Sequence, residues 1–338
     1  MAAKSTGAGQ KKNQLSSVLE VKDLRVQFHT VKGIVKAVNG VDFRIRERKV
    51  LGVVGESGCG KSVTALSVMN ILSPTAKIVS GNIFYYKNGI KTDIAQLKPM
   101  SEQMLTIRAN EISMIFQEPM SAFCPVYNVG YQIGEVIGRQ KRRAKGELRS
   151  AIIDMLSKVG ISAPEKRVDA YPFELSGGMC QRSMIAMALI GNPSLLIADE
   201  PTTALDVTVQ AQILALMRQL QKEYGMAIMF ITHDLGVISD MADDVVVMYM
   251  GQIMETGEVH TIFHNAKHPY TLGLLSAMPS LGHKGRLNHI KGSVPNPYER
   301  PEGCPFINRC ASTMDRCNKE PPQTEIEPGH SVKCWLFQ

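Results

Sequence analysis

The sequence lacks any run of about 18 uninterrupted apolar residues, the length that a transmembrane helix requires. Its polar N-terminus also lacks the apolar stretch of a secretory signal peptide. It has no internal repeat and no heptad run, which argues against a long coiled coil. Aromatic residues are scarce, at 6% of the chain with a single Trp. Membrane-spanning and secreted proteins are therefore excluded, and a reducing cytosol is the expected compartment.

The 338 residues are enough to bury a large core and suggest about two domains, so folding does not require disulfides. In a reducing compartment the seven Cys are expected to be free thiols or metal ligands. The 38 basic and 31 acidic residues give a formal charge of +7. This modest excess is compatible with an anionic ligand or with the inner face of a membrane, and it does not require nucleic acid.

The periodicity of apolar residues predicts an α/β fold after a polar tail. Residues 1–17 contain almost nothing to bury and are predicted to be disordered. Strand patterns begin at Val18, and the apolar run KVLGVVG (49–55) predicts a buried parallel strand. Further strands are expected in SLLIADE (194–200) and MAIMFITHD (226–234). Because a helical pattern separates these two, the expected arrangement is strand, crossover helix, strand.

Three other segments have distinct patterns. The helix between the two strands is expected to end at Gly225, and a hairpin is expected to turn near Gly251. Residues 100–170 carry polar helical patterns and are predicted to form a helical insertion. After Phe263 the composition shifts to Pro, Gly, His and Cys, which indicates a third, small region.

The strongest motif is GESGCGKS, which fits the pattern G-x-x-x-x-G-K-[ST] between a predicted strand and a predicted helix. Such glycines let backbone N–H groups surround phosphates, and the helix N-terminus adds positive potential. Lys61 is expected to reach the β- and γ-phosphates, and Ser62 is expected to bind Mg²⁺. A plain Gly-rich turn is the alternative, but the flanking strand and helix argue against it. The residues expected to bind nucleotide are Gly55, Glu56, Ser57, Gly58, Cys59, Gly60, Lys61, Ser62 and Val63.

The segment LLIADE supplies two carboxylates at the end of an apolar strand. Asp199 is placed to hold Mg²⁺ directly or through water. Glu200 is placed to polarise an attacking water as a general base. Together with the Gly-rich loop, these residues predict hydrolysis of a nucleoside triphosphate.

LSGGM (175–179) indicates which class of nucleoside triphosphatase this is, because it resembles the LSGGQ signature of ABC-type ATPases. Met179 stands where Gln is common, while the Ser and both glycines are retained. The other family positions are present in the right order between Val18 and Phe263. They are Phe28 as the adenine-stacking residue of the A-loop, Gln117 of the Q-loop, Ala204, Leu205 and Asp206 of the D-loop, and the switch histidine His233.

The resemblance implies a P-loop NTPase core with a parallel sheet, an antiparallel β subdomain and a helical subdomain. It implies that Gln117 joins Ser62 and Asp199 as a ligand of Mg²⁺. It also implies that Gln117, Glu200 and His233 act in catalysis, with His233 at the γ-phosphate. In this family ATP is sandwiched between two nucleotide-binding domains. The residues implied to contact the ATP of the opposite subunit are Ser176, Gly177, Gly178 and Met179.

Four cysteines near the end of the sequence are spaced C-x5-C-x6-C-x16-C, and they are Cys304, Cys310, Cys317 and Cys334. Four thiolates in a reducing compartment are able to hold a tetrahedral Zn²⁺ or an iron–sulfur cluster. The CxxC pairs that are usual in zinc ribbons are missing. This favours a cluster over Zn²⁺, with four free thiols as a third alternative.

The same region resembles the C-terminal extension of the ATP-binding subunits of dipeptide and oligopeptide importers. The resemblance rests on HPYT (268–271), LGLLSAMP, GSVPNP and RPEGCPFINRC. It implies that the four cysteines bind a 4Fe–4S cluster. It also implies two transmembrane permease subunits, a second ABC ATPase that is generally a paralogue, and an extracytoplasmic solute-binding protein in the same complex.

These observations predict a peripheral ATPase at the cytoplasmic face of the inner membrane, which drives uptake of di- or oligopeptides and does not bind nucleic acid. The expected domains are a nucleotide-binding domain over 18–265, with a helical subdomain at about 100–175, and an extension over 266–338. The permease contact is expected between 100 and 170, downstream of Gln117. An importer ATPase for nickel or sugars is the first alternative. A soluble ABC ATPase acting on nucleic acid or ribosomes, and an ATPase for iron–sulfur assembly, follow it.

Overall fold

The computed structural model describes residues 16–138, 145–203, 205–278 and 289–338, which form two sheets with surrounding helices. The strands are β1 (Ser17–Thr30), β2 (Gly33–Arg46), β3 (Val50–Val54), β4 (Ala76–Lys87), β5 (Ile90–Asp93), β6 (Ile112–Ile115), β7 (Leu195–Asp199), β8 (Ala227–Thr232), β9 (Asp244–Tyr249), β10 (Gln252–Glu258), β11 (Thr324–Glu327) and β12 (His330–Val332). The α-helices are α1 (Lys61–Val68), α2 (Glu102–Asn110), α3 (Pro119–Ala122), α4 (Val129–Gly138), α5 (Lys145–Lys158), α6 (Pro164–Arg167), α7 (Gly177–Leu189), α8 (Val207–Tyr224), α9 (Leu235–Met241), α10 (Val259–Asn265) and α11 (Pro269–Ser276). Short 3₁₀ helices cover Ile94–Gln96, Pro172–Glu174, Pro297–Glu299, Ile307–Arg309, Asp315–Asn318 and Trp335–Phe337. Most of the predicted tail (residues 1–15) and Ala204 of the predicted D-loop lie outside the described residues.

The smaller sheet is antiparallel and has the strand order β2-β1-β4-β5. In β1, Val21, Leu24 and Val26 are buried, whereas Lys22 and Asp23 are exposed. The pairing with β2 shifts between Val21 and Leu24, which forms a bulge at Asp23 with a φ of 41°. The bulge keeps the apolar side chains on one face although two exposed residues separate them.

The larger sheet has the strand order β11-β12-β10-β9-β3-β8-β7-β6. Strands β9, β3, β8, β7 and β6 are parallel to one another. Strands β10, β12 and β11 continue the sheet beyond β9, each antiparallel to the strand before it. All of β3 is buried, with Val50 and Val54 in the core on one face and Leu51 and Val53 in the core on the other. A strand covered on both faces reads as a continuous apolar run. The predicted α/β fold is confirmed.

The parallel strands place their carboxyl ends at one edge of the larger sheet, the usual position of ligand sites in such sheets. The Gly-rich loop follows β3, and Gln117 lies two positions after β6. Asp199 ends β7, and His233 follows β8 directly. The topology therefore brings four segments that are distant in sequence to one place.

The predicted helical subdomain at about 100–175 needs one correction. Residues Ile112–Ile115 are not helical but form β6, the edge strand that pairs with β7. Helix α2 precedes this strand, and α3 to α6 follow it. A four-residue apolar segment has too little periodicity to distinguish a strand from a buried helical turn, which is why the sequence pattern missed it.

Two local predictions are confirmed by the structure. Helix α8 ends at Tyr224, and Gly225 caps it in the left-handed conformation with a φ of 62°. Strands β9 and β10 form the expected hairpin, with Gly251 in its turn. Among the described residues, no helix is both long enough and apolar enough to cross a bilayer.

The C-terminal region is more regular than the sequence suggested, and it is tied to the core. Strand β12 pairs with β10 and so extends the larger sheet. The fully buried Glu255 of β10 accepts hydrogen bonds from the backbone N–H groups of Lys267 (2.7 Å) and His268 (3.0 Å). Its Oε1 also lies 2.8 Å from Nε2 of His330 in β12. A buried carboxylate requires such partners, so this network attaches the C-terminal region to the larger sheet.

Candidate nucleotide-binding and hydrolysis site

The Gly-rich loop lies between β3 and α1, as its motif predicts. Gly60 has a φ of 102°, and a Cβ at this position would lie 2.4 Å from the carbonyl oxygen of Ala37. At Gly55 the φ is 153°, and a Cβ would lie 2.2 Å from the carbonyl oxygen of Met248. Both positions therefore require glycine, which allows the tight curvature of a phosphate-binding loop.

Lys61 is the first residue of α1 and is only 5% exposed. Its Nζ donates hydrogen bonds to the carbonyl oxygens of Gly55 (2.7 Å) and Glu56 (3.1 Å). The ammonium group is thus held against the loop at a helix N-terminus. Backbone N–H groups, the helix dipole and a side-chain cation all favour an anion there.

Ser62 and Asp199 join the loop to the end of β7. The hydroxyl of Ser62 donates to Oδ1 of Asp199 at 3.1 Å, and Asp199 is 5% exposed. Burial raises the pKa of the Asp199 carboxyl and the charge of Glu200 raises it further, while the Ser62 hydrogen bond and Lys61 act in the opposite direction. Hydroxyl and carboxylate oxygens are ligands that Mg²⁺ prefers, so this pair is suited to a divalent cation.

Glu200 follows β7 directly and lies at the centre of a polar cluster. Its φ of 47° is unusual for a residue with a side chain, and such strained conformations are found repeatedly at active sites. Its Oε2 accepts hydrogen bonds from Gln117 Nε2 (3.2 Å) and Thr203 Oγ1 (2.9 Å). Its Oε1 lies 3.3 Å from Nδ1 of His233. These contacts orient the carboxylate at an open cleft of about 690 Å³, where it is able to accept a proton from water.

Most of the residues predicted to bind nucleotide or Mg²⁺, or to act in catalysis, line this cleft. They are Gly55, Glu56, Ser57, Gly58, Gly60, Lys61, Ser62, Val63, Gln117, Glu200 and His233. Three predicted residues do not line it. The side chain of Cys59 is buried in the core, and Phe28 is half-buried on β1 and packs against the same core. Asp199 is buried and contacts the lining residue Ser62. The sequence analysis missed five lining residues, which are Ala37, Val54, Thr203, Leu235 and Leu274. Val54, Thr203 and Leu235 each lie within three positions of a predicted residue, whereas Ala37 and Leu274 are distant from all of them.

The predicted signature lies away from the cleft of its own chain. Ser176 caps α7, where its Oγ accepts a hydrogen bond from the N–H of Met179 at 3.3 Å. Ser176 and Gly177 are exposed, and Gly178 and Met179 are half-buried. Asp206 caps α8 in the same way and is also exposed. Neither helix cap lines the cleft, so these residues and the Gly-rich loop do not form one site within a single chain.

The four C-terminal cysteines line one small cavity. Cys304, Cys317 and Cys334 are buried and Cys310 is half-buried, and none of the four is in a disulfide. Burial, with smaller contributions from the three neighbouring thiols, raises the pKa of Cys304 to about 11. Among the residues that the structure describes, no group of three or more Cys, His, Asp or Glu side chains is arranged to hold a metal ion. The thiols therefore converge, but this arrangement gives no direct support for the predicted cluster.

Comparisons with known proteins identify the family. Residues 38–203 match the family described as ABC transporter, and residues 254–317 match the family described as oligopeptide/dipeptide transporter, C-terminal region. The chain is 46% identical over 325 residues to the dipeptide transport ATP-binding protein DppD of Bacillus subtilis, with 95% of each chain covered. The chain belongs to the ATP-binding subunits of dipeptide and oligopeptide ABC transporters.

A second curated relative agrees with this assignment, and two solved structures agree with the ABC-type fold. The oligopeptide transport ATP-binding protein OppD of Bacillus subtilis is 47% identical over 329 residues, which cover 96% of this chain and 90% of that protein. A dimeric, post-hydrolysis structure of the ATP-binding cassette MJ0796 with ADP and Pi has a TM-score of 0.62 at 25% identity, covering 71% of this chain and 98% of that one. The structure of cbiO1 from Clostridium perfringens has a TM-score of 0.61 at 26% identity, covering 74% and 91%. The predicted ABC-type fold is confirmed.

Proposed function

We propose that this chain binds and hydrolyses ATP to drive peptide import through an ABC transporter. The observation that carries the proposal is the cleft at the edge of the larger sheet. There a phosphate-binding loop, a buried Ser–Asp pair and an oriented glutamate meet. These are the three parts that hydrolysis of a nucleoside triphosphate requires: phosphate binding, cation binding and activation of water.

The phosphates of ATP are assigned to the Gly-rich loop, residues 55–63, with Lys61 at the β- and γ-phosphates. Lys61 is already buried and held at the loop by two backbone carbonyls, so little reordering is needed for it to bind an anion. Ser62, Gln117 and Asp199 are the residues that would hold Mg²⁺. When bound, the cation neutralises phosphate charge and compensates the buried carboxylate.

Activation of water is assigned to Glu200. Its carboxylate is oriented by Gln117 and Thr203 on one oxygen and by His233 near the other, so it is held in place to remove a proton from the attacking water. His233 lies at the cleft and is assigned to contact the γ-phosphate. Phe28 stays a prediction as the residue that stacks on adenine, because it does not line the cleft in this structure.

A second ATPase subunit is proposed to complete the site. A helix N-terminus with a Ser cap and two glycines presents N–H groups to an anion, and here it is exposed and away from its own cleft. This is the arrangement expected of a group that binds the nucleotide of a partner. The residues assigned to that interface are Ser176, Gly177, Gly178, Met179 and Asp206. A paralogue, rather than a second copy, is the proposed partner.

The contact with the membrane subunits is proposed in the region that follows Gln117. A groove of about 460 Å³ borders this region. It is lined by Cys124 and Tyr127 of the loop before α4 and by residues of α4, together with residues of α7 and of α2, which precedes Gln117. Tyr127 and Tyr131 stack with their ring centroids 4.8 Å apart, and both are exposed. Exposed aromatic residues beside a groove are typical of protein interfaces, so the groove suits a helix supplied by a permease subunit.

For the four cysteines we propose a 4Fe–4S cluster, with Zn²⁺ as the alternative. Four thiols around one cavity, three of them buried, form an all-sulfur donor set suited to either metal. When bound, the group would cross-link the segments that carry Cys304, Cys310, Cys317 and Cys334.

The rest of the assembly is proposed from the family. It comprises two transmembrane permease subunits and an extracytoplasmic solute-binding protein, with this chain as a peripheral subunit at the cytoplasmic face of the inner membrane. Dipeptides and oligopeptides are the proposed cargo, since the relatives are named for their transport, and nickel or sugars are the alternative. Nucleic acid is not a proposed partner. The proposed domains are 18–265 and 266–338.

Uptake by the reconstituted transporter tests the proposal. The chain is assembled with its permeases, partner ATPase and binding protein in proteoliposomes, and labelled dipeptides and oligopeptides are offered on the outside. Accumulation is expected only when ATP is present on the side of this chain, and Glu200→Gln is expected to abolish it. ATP hydrolysis by the wild-type complex without uptake of any peptide would contradict the proposed cargo.

A further inference from the structure

A direct contact joins the cysteine-containing region to the phosphate-binding loop. Arg309, next to Cys310, donates from Nη1 to Oε2 of Glu56 at 2.6 Å and from Nη2 to Oε1 of Glu56 at 3.0 Å. Glu56 is the second residue of the Gly-rich loop and lines the nucleotide cleft. The contact is bidentate, which is the strongest geometry for an arginine and a carboxylate.

The surroundings hold Arg309 in this orientation. Its side chain is only 4% exposed. Its Nε donates to the carbonyl oxygen of Lys291 at 3.1 Å, and its Nη1 also donates to the hydroxyl of Tyr249 at 3.3 Å. The guanidinium carbon lies 5.7 Å from the ring centroid of Tyr249 and 5.9 Å from that of Phe306. The guanidinium group is therefore in place for Glu56 without help from a ligand.

A second contact holds the main chain of the same glutamate. The N–H of Glu56 donates to the hydroxyl of Tyr270 at 3.0 Å, and Tyr270 is fully buried on α11. Tyr270 belongs to the HPYT motif and packs against Tyr249 and Phe306. The main chain and the carboxylate of Glu56 are thus held by residues 214 and 253 positions later in the sequence. Both contacts come from residues of the C-terminal region, Tyr270 and Arg309, and neither residue is assigned a role in hydrolysis.

The pairing matters because Glu56 brings a negative charge to the rim of a site for a triphosphate. An unpaired carboxylate there would repel the phosphates, and in a partly buried site this repulsion is stronger than in bulk water. We propose that Arg309 is a positioning residue of the nucleotide site, which neutralises and orients Glu56 and thereby sets the affinity of the loop for ATP. Because Arg309 belongs to the cysteine-containing region, the affinity for ATP depends on the structure of that region. The proposal rests on the proposed ATP-binding function.

Binding of a fluorescent ATP analogue with Mg²⁺ to the purified full-length chain tests the proposal. Arg309→Gln leaves Glu56 unpaired and is expected to weaken binding about fivefold or more, the usual lower range for coupling between sites. Adding Glu56→Gln removes the unpaired charge and is expected to restore binding to near the wild-type value. The loss of affinity in the Arg309→Gln single variant, relative to wild type, is expected to be smaller at about 0.5 M NaCl than at about 0.05 M, because salt screens charge repulsion.

Arg46→Gln is the matched control. It removes another bidentate arginine–carboxylate contact, with Asp244, which lies outside the cleft lining, and it is expected to leave ATP binding unchanged. Rescue by the second substitution distinguishes the proposal from local damage, because loss of folding or of a metal at the cysteines would not be reversed by Glu56→Gln. If Arg309→Gln does not fold, Arg309→Lys replaces it. Lys keeps the charge but cannot reproduce the bidentate contact, so binding is expected to weaken by less than about tenfold.

Three results would overturn the inference. The Arg309→Gln variant could bind ATP as tightly as wild type, or the double variant could bind as weakly as the Arg309→Gln variant. A folded Arg309→Lys variant whose affinity falls by more than about tenfold would also overturn it. The proposed function fails in a different way. If the wild-type chain does not bind the analogue, or binds it no better than Lys61→Ala, then ATP binding itself is wrong.

Discussion

Replacing Asp199 with Asn is expected to stabilise the ligand-free protein and to abolish the Mg²⁺-dependent part of ATP binding. Asp199 is 5% exposed and accepts a hydrogen bond from Ser62 at 3.1 Å. Asn has nearly the same shape and keeps an acceptor oxygen for this hydroxyl. The substitution therefore removes the charge and leaves the packing in place.

The expected gain in stability follows from the raised pKa of Asp199, which burial causes and Glu200 increases. Because the pKa is higher in the folded state than in the unfolded chain, folding is penalised at every pH where the carboxyl is ionised in both states. At pH 7 that penalty is fully present, and Asn removes it. We expect the free energy of unfolding to rise by roughly 0.5 to 2 kcal/mol, the usual scale of a stabilising substitution. The gain shrinks as the pH falls through the pKa of the folded state.

Urea denaturation at pH 7 and at lower pH, with and without Mg²⁺ and ATP, measures both effects. At about 100 times its Kd, a ligand stabilises the folded state by about 2.7 kcal/mol, and the Mg²⁺-dependent share of this gain is expected to vanish in Asp199→Asn. Asp240→Asn on α9 is the control, since that carboxylate is exposed and the change should stay within about 0.5 kcal/mol. A ligand-free Asp199→Asn protein that is less stable than wild type at pH 7 would refute the reasoning.

Three further predictions concern the C-terminal region and the groove. Glu255→Gln, at the buried network with His330, is expected to lower the free energy of unfolding by about 3 kcal/mol in urea denaturation, and a loss below about 0.5 kcal/mol would contradict that role. Cys304→Ser is expected to lower the iron content and the broad visible absorbance of protein prepared without oxygen, whereas a wild-type protein without iron would rule out the cluster. Tyr127→Ala is expected to weaken binding of the membrane subunits about tenfold or more in a pull-down with purified permeases, and unchanged binding would place the interface elsewhere.

The sequence was most informative where the functional residues and the strand or helix that positions them lie in one short segment. GESGCGKS lies between the expected strand and helix, and LLIADE ends the expected strand at Asp199. Because parallel strands share one edge, the meeting of Ser62 with Asp199 and of Gln117 with Glu200 follows from the topology once the strands are assigned. The convergence of the four cysteines also agrees with their spacing in an otherwise irregular region.

The rest depended on packing that short patterns do not encode. Strand β6 was missed because four apolar residues fit a strand and a helix equally well. Strand β12 was missed because its residues acquire a partner only in the folded sheet, on the edge of β10. The contact between Arg309 and Glu56 spans 253 positions, and each residue alone is an ordinary charged side chain. Phe28 was assigned by family position alone, and its half-buried place on β1 does not reach the cleft.

The central claim is that Glu200 activates the water that hydrolyses ATP bound at the Gly-rich loop, and one comparison tests it most directly. ATP binding and steady-state ATP hydrolysis are measured side by side for the wild-type complex and for the same complex with Glu200→Gln. The account predicts that ATP binding is retained while hydrolysis falls by about 10²- to 10⁴-fold, the range for loss of a general base. Near-normal hydrolysis by the Glu200→Gln complex would contradict it.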